Sequence, residues 1–256
     1  MKKTMVLAYG IFAYAVFFVT FLYAMGFVAN MAVPKSIDSG ETGPVLAAVL
    51  INSLLLGSFA VQHTIMARRS FKKWVTRYIP AAVERSTFVL VASAILAITF
   101  WQWRPMTGIV WRVEGEEARL VLNVIYWFGW FLVLFSSFLI NHFDLFGLRQ
   151  VYLEFRNRPV QPLVFRMTGL YKLVRHPLLL GFLIAFWSAP VMTEGRLLFA
   201  TLTTAYILVG IRFEERDLEH THGEVYREYQ RNVPMLIPYR KPPSPAAGTA
   251  TAARRA

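Results

Sequence analysis

The sequence predicts an all-α integral membrane protein with about six transmembrane helices, the last two forming a short helical hairpin. Three observations carry this. Of 256 residues, 56% are hydrophobic and only 16% charged. Several uninterrupted apolar runs reach the roughly 20 residues that cross a bilayer. The 27 lysines and arginines lie mostly in short stretches between those runs. A net charge of +12 raises nucleic-acid binding as an alternative, but that needs basic residues gathered on one water-exposed face. Basic residues divided among short loops argue against it, so no nucleic-acid partner is expected.

Helices are expected at about 4–32, 45–67, 86–103, 120–143, 178–192 and 197–216. The first run follows Lys2 and Lys3 and is about 30 residues long, beyond the apolar stretch of a secretory signal, so it reads as a retained helix. The first four runs are long enough to span. The last two carry about 15 apolar residues each around Pro190 and Glu194, which gives a tight hairpin that need not span fully. The chain divides into an N-terminal four-helix region (1–148), a second region (149–241) and a tail (242–256) too poor in bulky apolar residues to fold. There is no cysteine, which excludes disulfides, thiolate metal sites and a cysteine nucleophile.

Orientation follows from the basic residues. Segments 1–3, 68–85, 149–175 and 212–256 hold 22 of the 27, and the alternate segments 33–44, 104–119 and 190–196 hold 5. The positive-inside rule then puts both termini, and the loops after the second and fourth helices, in the cytoplasm.

Polar residues gather at this same boundary: Gln62-His63-Thr64, Asn141-His142-Phe143-Asp144, Arg175-His176-Pro177 and Arg212-Phe213-Glu214-Glu215-Arg216. Ionisable groups near the apolar layer usually need a partner or a role. The competing reading is that helix ends simply reach headgroups and water. His142 and Asp144 are two apart and do not share a helical face. If the helix unwinds there, His142 becomes a candidate base oriented by Asp144; if not, it is a histidine meeting a helix C-terminus. His63 reads either as a packing residue or as a proton acceptor. His63, His142, His176 and the pair His220-x-His222 lack a spacing that specifies a metal, and none is expected.

The most specific stretch is Gly169-Leu-Tyr171-Lys-Leu-Val-Arg175-His176-Pro177-Leu-Leu-Leu-Gly181, followed by Arg212-Phe-Glu214-Glu215-Arg-Asp-Leu218, Gly223, Tyr226, Tyr229 and Val233-Pro234-x-x-Ile237-Pro238. Over about 160–240 the chain resembles the isoprenylcysteine carboxyl methyltransferase and phospholipid methyltransferase superfamily. The resemblance implies a cytoplasmic pocket for S-adenosylmethionine. By residue it implies cofactor contacts on Leu163, Val164, Phe165, Arg166, Tyr171, Arg175, His176, Pro177, Leu178, Leu179, Gly181, Glu215, Tyr226 and Tyr229, with Glu214 beside the transferring methyl or the substrate. The chemistry agrees. Pro177 suits a first helical turn, whose free amides suit a carboxylate, and tyrosine faces suit a sulfonium. The arginine that prenylcysteine enzymes use for a carboxylate substrate falls near Gly210, with Arg212 as the alternative two residues on, and its loss counts against such a substrate.

The N-terminal half narrows the resemblance. Ser58-Phe-Ala-Val-Gln62-His63-Thr-Ile-Met-Ala-Arg68, Val83-Glu84-Arg85-Ser86-Thr87, Phe100-Trp101-Gln102-Trp103-Arg104-Pro105 and Asn141-His142-Phe143-Asp144-Leu-Phe-Gly147 are similar to the bacterial methanethiol S-methyltransferases. That family implies methyl transfer from S-adenosylmethionine to methanethiol or another small thiol, in a bacterial inner membrane and in contact with its lipid. The catalytic candidates are His142 with Asp144, then Glu214, then His63. Lipid, amine or prenylcysteine methyl transfer is the alternative within enzymes. A non-catalytic membrane protein of nitrogen-oxide metabolism, or a transporter, is the alternative outside them. A transporter is expected to carry polar residues towards the midplane, and apart from Asn52, Ser53 and Asn123 they cluster here at one edge.

Overall fold

A computed structural model of the chain describes residues 2–161 and 167–239. Its helices are α1 (Lys3–Ala29), α2 (Val45–Ala67), α3 (Arg69–Val75), α4 (Ala81–Gln102), α5 (Glu116–Ile140), α6 (His142–Leu145), α7 (Leu148–Phe155), α8 (Pro177–Trp187), α9 (Glu194–His222) and α10 (Glu224–Asn232). Two short strands, β1 (Ile109–Arg112) and β2 (Val191–Thr193), pair antiparallel. The expected tail and the candidates Leu163, Val164, Phe165 and Arg166 lie outside the described residues.

Five helices among the described residues are long and apolar enough to cross a membrane: α1, α2, α4, α5 and α9. Of the six helices expected as spans, α8 falls short of that length. Helix α8 has 11 residues, which rise only about 16 Å, roughly half of a 30 Å hydrocarbon layer. Helix α9 has 29 residues and is not short, because Arg212 to Leu218 are good helix formers that prolong it beyond its apolar part. It stops at Gly223, where φ is +58°.

The two strands close one end of the bundle. β1 lies between α4 and α5, and β2 lies between α8 and α9. Their pairing therefore brings the end of α8 to the end of the bundle where α4 stops and α5 begins. The amides of Glu194 and Gly195 fix the start of α9 there, donating to the carbonyls of Gly108 and Met106 at 2.8 and 2.9 Å. In α2, the buried Asn52 is held to the same end, its side chain bonding the backbone N–H and C=O of Arg104 at 2.9 and 2.8 Å. An asparagine inside an apolar run is thereby satisfied, as burial requires.

Helix α8 packs chiefly on α5, not on its hairpin neighbour α9. Small residues make this possible. A Cβ on Gly181 would lie 2.6 Å from the carbonyl oxygen of Gly129, and one on Gly129 would lie 2.7 Å from that of Gly181. The backbones approach as closely as small-residue helix pairs do in membranes. An aromatic core fills the β1–β2 end, built on Phe27, Phe100, Trp103, Tyr126, Trp130 and Phe199.

Candidate functional site

The Arg175-His176-Pro177 turn, the glutamate pair and the C-terminal tail meet at the opposite end of the bundle from the strands. Pro177 occupies the first turn of α8, where its missing N–H costs nothing. The preceding backbone is tied to the tail: the amides of Arg175 and His176 donate to the carbonyls of Pro234 and Met235 at 2.9 and 3.1 Å. Glu215 is the hub. Its Oε1 accepts from Arg175 Nε at 2.6 Å and lies 3.0 Å from His176 Nε2, while Oε2 accepts from Gln230 Nε2 at 3.2 Å. Arg175 also donates through Nη1 to the carbonyls of Gln230 and Val233, at 3.2 and 2.6 Å. The Arg175–Glu215 pair is largely buried, with side chains 9% and 14% exposed. In such surroundings an ion pair is tolerated only with this degree of hydrogen bonding.

Glu214 stands beside the hub, differently placed. Its Oε2 is 3.6 Å from His176 Nδ1, and its side chain is 55% exposed. One helical turn earlier, Gly210 faces open space. Tyr171, Tyr226 and Tyr229 close the other side. Tyr229 donates its hydroxyl to the carbonyl of Tyr171 at 2.6 Å, and the rings of Tyr226 and Tyr229 lie 5.7 Å apart at 65°. Burial pushes the Tyr229 phenol up to about 12, and those of Tyr171 and Tyr226 well above their ordinary value. All three are therefore uncharged at physiological pH. Leu179 joins Leu180 and Leu183 against Ile207, Ile211 and Leu236, packing the tail onto α8 and α9. Leu178 follows Pro177 in the first turn, and Gly181 serves the α5 contact.

The structure separates His142 from Asp144. Helix α5 does break, at Asn141, whose φ is +157°. Asn141 then caps α6, its Oδ1 accepting from the Asp144 amide at 3.1 Å. In the new turn the Asp144 carboxylate meets Arg149 Nη1 at 2.7 Å and Gln150 Nε2 at 3.3 Å. It lines a polar cavity of about 250 Å³ shared with Lys72, Glu84 and Arg85. The expectation that Asp144 orients His142 is thus corrected: the new helical turn directs it to α7.

His142 is 3% exposed and both its ring nitrogens are engaged. Nδ1 lies 2.8 Å from Ser137 Oγ and Nε2 lies 2.8 Å from the Tyr14 hydroxyl. Ser137 Oγ gives its own proton to the Leu134 carbonyl at 2.6 Å. A hydroxyl has one proton to give, so Ser137 accepts from His142 Nδ1–H, and Nε2 accepts from Tyr14. The only lone pair of the imidazole is therefore taken by a residue of α1. The ring also stacks on Phe138, with centroids 4.3 Å apart. Burial lowers its basicity.

This predicts a pH effect on stability. A histidine whose folded pKa is depressed favours the folded state above its unfolded value of about 6.5 and opposes it below. The thermal midpoint in detergent is expected to fall as pH drops from about 7 to 5.5, and to fall less steeply in His142→Gln. Equal slopes in the two proteins would remove His142 from that role.

His63 faces inward among Phe59, Phe88 and Tyr206, at centroid distances of 5.3, 4.8 and 6.4 Å. Its Nδ1 and the neighbouring Gln62 Oε1 are buried without a partner among the described residues. No three histidine, aspartate or glutamate side chains among the described residues are grouped so as to hold a metal ion. No local pattern marks Tyr14, one aromatic among many in α1, or Ser137. Gln230 was discoverable in principle, since it is the polar residue inside the tyrosine-rich tail.

Residues 68–233 match a family described as a protein of unknown function, DUF1295. A methanethiol S-methyltransferase of Mycobacterium tuberculosis is 50% identical over 239 residues, covering 93% of this chain and 98% of the relative. Methanethiol S-methyltransferase 2 of Bradyrhizobium diazoefficiens is 52% identical over 233 residues, covering 91% and 90%. The chain belongs to the methanethiol S-methyltransferase family. Nurim of Rattus norvegicus is a more distant relative of this family member, 27% identical over 194 residues with 73% and 74% covered. No solved structure matches.

Proposed function

We propose that this protein is a membrane methyltransferase that moves a methyl group from S-adenosylmethionine to methanethiol, giving dimethyl sulfide. The observation that carries the reading is the joining of the Arg175-His176-Pro177 turn, the glutamate pair and the tyrosines into one site, in a chain half identical to methanethiol S-methyltransferases.

The residues present suit the cofactor. No side chain caps the first turn of α8, so its free amides suit a carboxylate. Tyr171, with Tyr226 and Tyr229 packed beside it, offers an uncharged aromatic wall to an adenine or a sulfonium. Glu214 adds an open carboxylate of opposite charge to a sulfonium. When bound, S-adenosylmethionine supplies a methyl group activated for in-line displacement by a thiol sulfur.

The chain's own residues supply the rest. Arg175, Glu215 and Gln230 hold the tail against α8 and fix His176. A thiol attacks only as thiolate, so a group must take its proton. We assign this to Glu214, which accepts no hydrogen bond among the described residues and is exposed enough to pass the proton to water. His142 yields first place, because Tyr14 occupies its lone pair, and Asp144 serves α7. His63 is the second candidate, on account of its unpartnered Nδ1. Gly210 leaves open space where a carboxylate-binding arginine would stand, which favours a small neutral acceptor.

We read the site as cytoplasmic in a bacterial inner membrane. Residues 149–241 carry the cofactor chemistry and residues 1–148 form the membrane frame. α8 with the extended residues after it makes a sixth crossing, so both termini share the cytoplasmic side, where 22 of 27 basic residues fall.

Purified protein given S-adenosylmethionine and methanethiol is expected to release dimethyl sulfide, detected by gas chromatography. Lipid, amine and prenylcysteine acceptors in the same panel are expected to give no methylated product. Methylation of one of those alone would overturn the thiol assignment.

A further inference from the structure

We infer that the cavity at the β1–β2 end, far from the methyl-transfer site, binds the phosphate of a membrane phospholipid headgroup. The cavity measures about 300 Å³, at the lower end of small-ligand sites. The charged side chains lining it are Arg119 and Arg196.

Arg196 is prepared for an anion. Its side chain is 11% exposed, and its Nε donates to Asp38 Oδ2 at 3.0 Å. Asp38 is itself fixed by Thr193, whose hydroxyl donates to Oδ1 at 2.6 Å, and by Asn30 Nδ2 at 2.5 Å from Oδ2. This carboxylate lies outside the cavity lining and holds the guanidinium by one edge. The hydrogen bond to Asp38 uses Nε alone, so the two terminal nitrogens of Arg196, which make no hydrogen bond among the described residues, remain as donors for an acceptor at the cavity. Arg119 makes no ion pair or side-chain hydrogen bond among the described residues and brings an uncompensated positive charge to the rim. Two guanidinium groups, one held by Asp38 and one exposed at the rim, match the several oxygens of a phosphate.

The surroundings specify a lipid source. Arg119, Asn123, Trp127, Phe131 and Phe135 follow one another at intervals of four along α5, the spacing of a surface ridge. The first two are polar and line the cavity with Trp127. Trp127, Phe131 and Phe135 are 42%, 59% and 43% exposed, and the rings of Phe131 and Phe135 stack at 5.5 Å. A ridge that begins at a phosphate-sized cationic cavity and continues as bare aromatic surface into the apolar span fits a headgroup with an acyl chain below it. A free anion would use the cavity and leave the ridge bare.

The test compares wild-type protein with Arg119→Gln and Arg196→Gln, reconstituted in phosphatidylglycerol nanodiscs and analysed by native mass spectrometry after release into detergent. Wild type is expected to retain phosphatidylglycerol, and Arg119→Gln to retain it at least tenfold less, with methyl transfer per folded molecule unchanged. Arg196→Gln also disturbs Asp38, so Arg119→Gln decides. Equal retention by wild type and Arg119→Gln overturns the site. Thermal protection measured with inorganic phosphate and with glycerol phosphate separates the sources. Protection by these equal to that by phosphatidylglycerol overturns the lipid assignment, and protection by the lipid alone upholds it.

Discussion

Glu215→Ala is expected to cost about 3–5 kcal/mol of stability, the usual penalty for removing one partner of a buried ion pair. The loss is large because one carboxylate holds three groups: Arg175 at 2.6 Å, His176 at 3.0 Å and Gln230 at 3.2 Å. Alanine leaves a guanidinium with little access to water facing no charge. It also frees α10 and the tail, whose attachment to the Arg175-His176 backbone rests on the same turn. S-adenosylmethionine affinity measured by calorimetry in detergent should fall more than tenfold, together with the thermal midpoint. Glu215→Gln keeps an acceptor oxygen and should lie between. An alanine variant that melts and binds as wild type would show that the hub holds neither the fold nor the cofactor site.

The second large effect separates chemistry from binding. Glu214→Gln is expected to lower turnover by about 10²- to 10⁴-fold, the range for a positioned proton acceptor. The fold should survive, because the Glu214 side chain is half exposed and its contact with His176 Nδ1, at 3.6 Å, is loose. Affinity for S-adenosylmethionine should change far less than turnover. The defect should shrink as pH rises towards the pKa of the free thiol, since thiolate then forms without help. Full activity of Glu214→Gln at neutral pH would transfer the assignment to His63.

Much of this protein was legible before its tertiary structure. The apolar runs located four of the long helices to within about five residues at each end, because the bilayer imposes length and hydrophobicity on a local stretch of chain. The Arg175-His176-Pro177 turn, the glutamate pair and the tyrosine tail were visible as a group, because ordered polar residues at the end of an apolar run have little reason to be there without a partner. Their division of labour was not visible. Adjacent in sequence, Glu214 and Glu215 point about 100° apart on a helix, and only the packing of α8 and α10 decides which one is paired.

The sequence by itself determined a helical membrane protein with its polar chemistry at one boundary, because hydropathy and charge act locally. The tertiary structure alone decided three things. Helix α8 is half-length and is followed by extended chain, because β2 pairs with β1. His142 is a lock and not an open base, because Tyr14, 128 residues away, supplies the hydrogen bond to Nε2. The arginine cavity exists because Asp38 holds Arg196 across 158 residues of chain. Each is a contact between segments with no local pattern in common, and such contacts are fixed by the packing of the whole bundle.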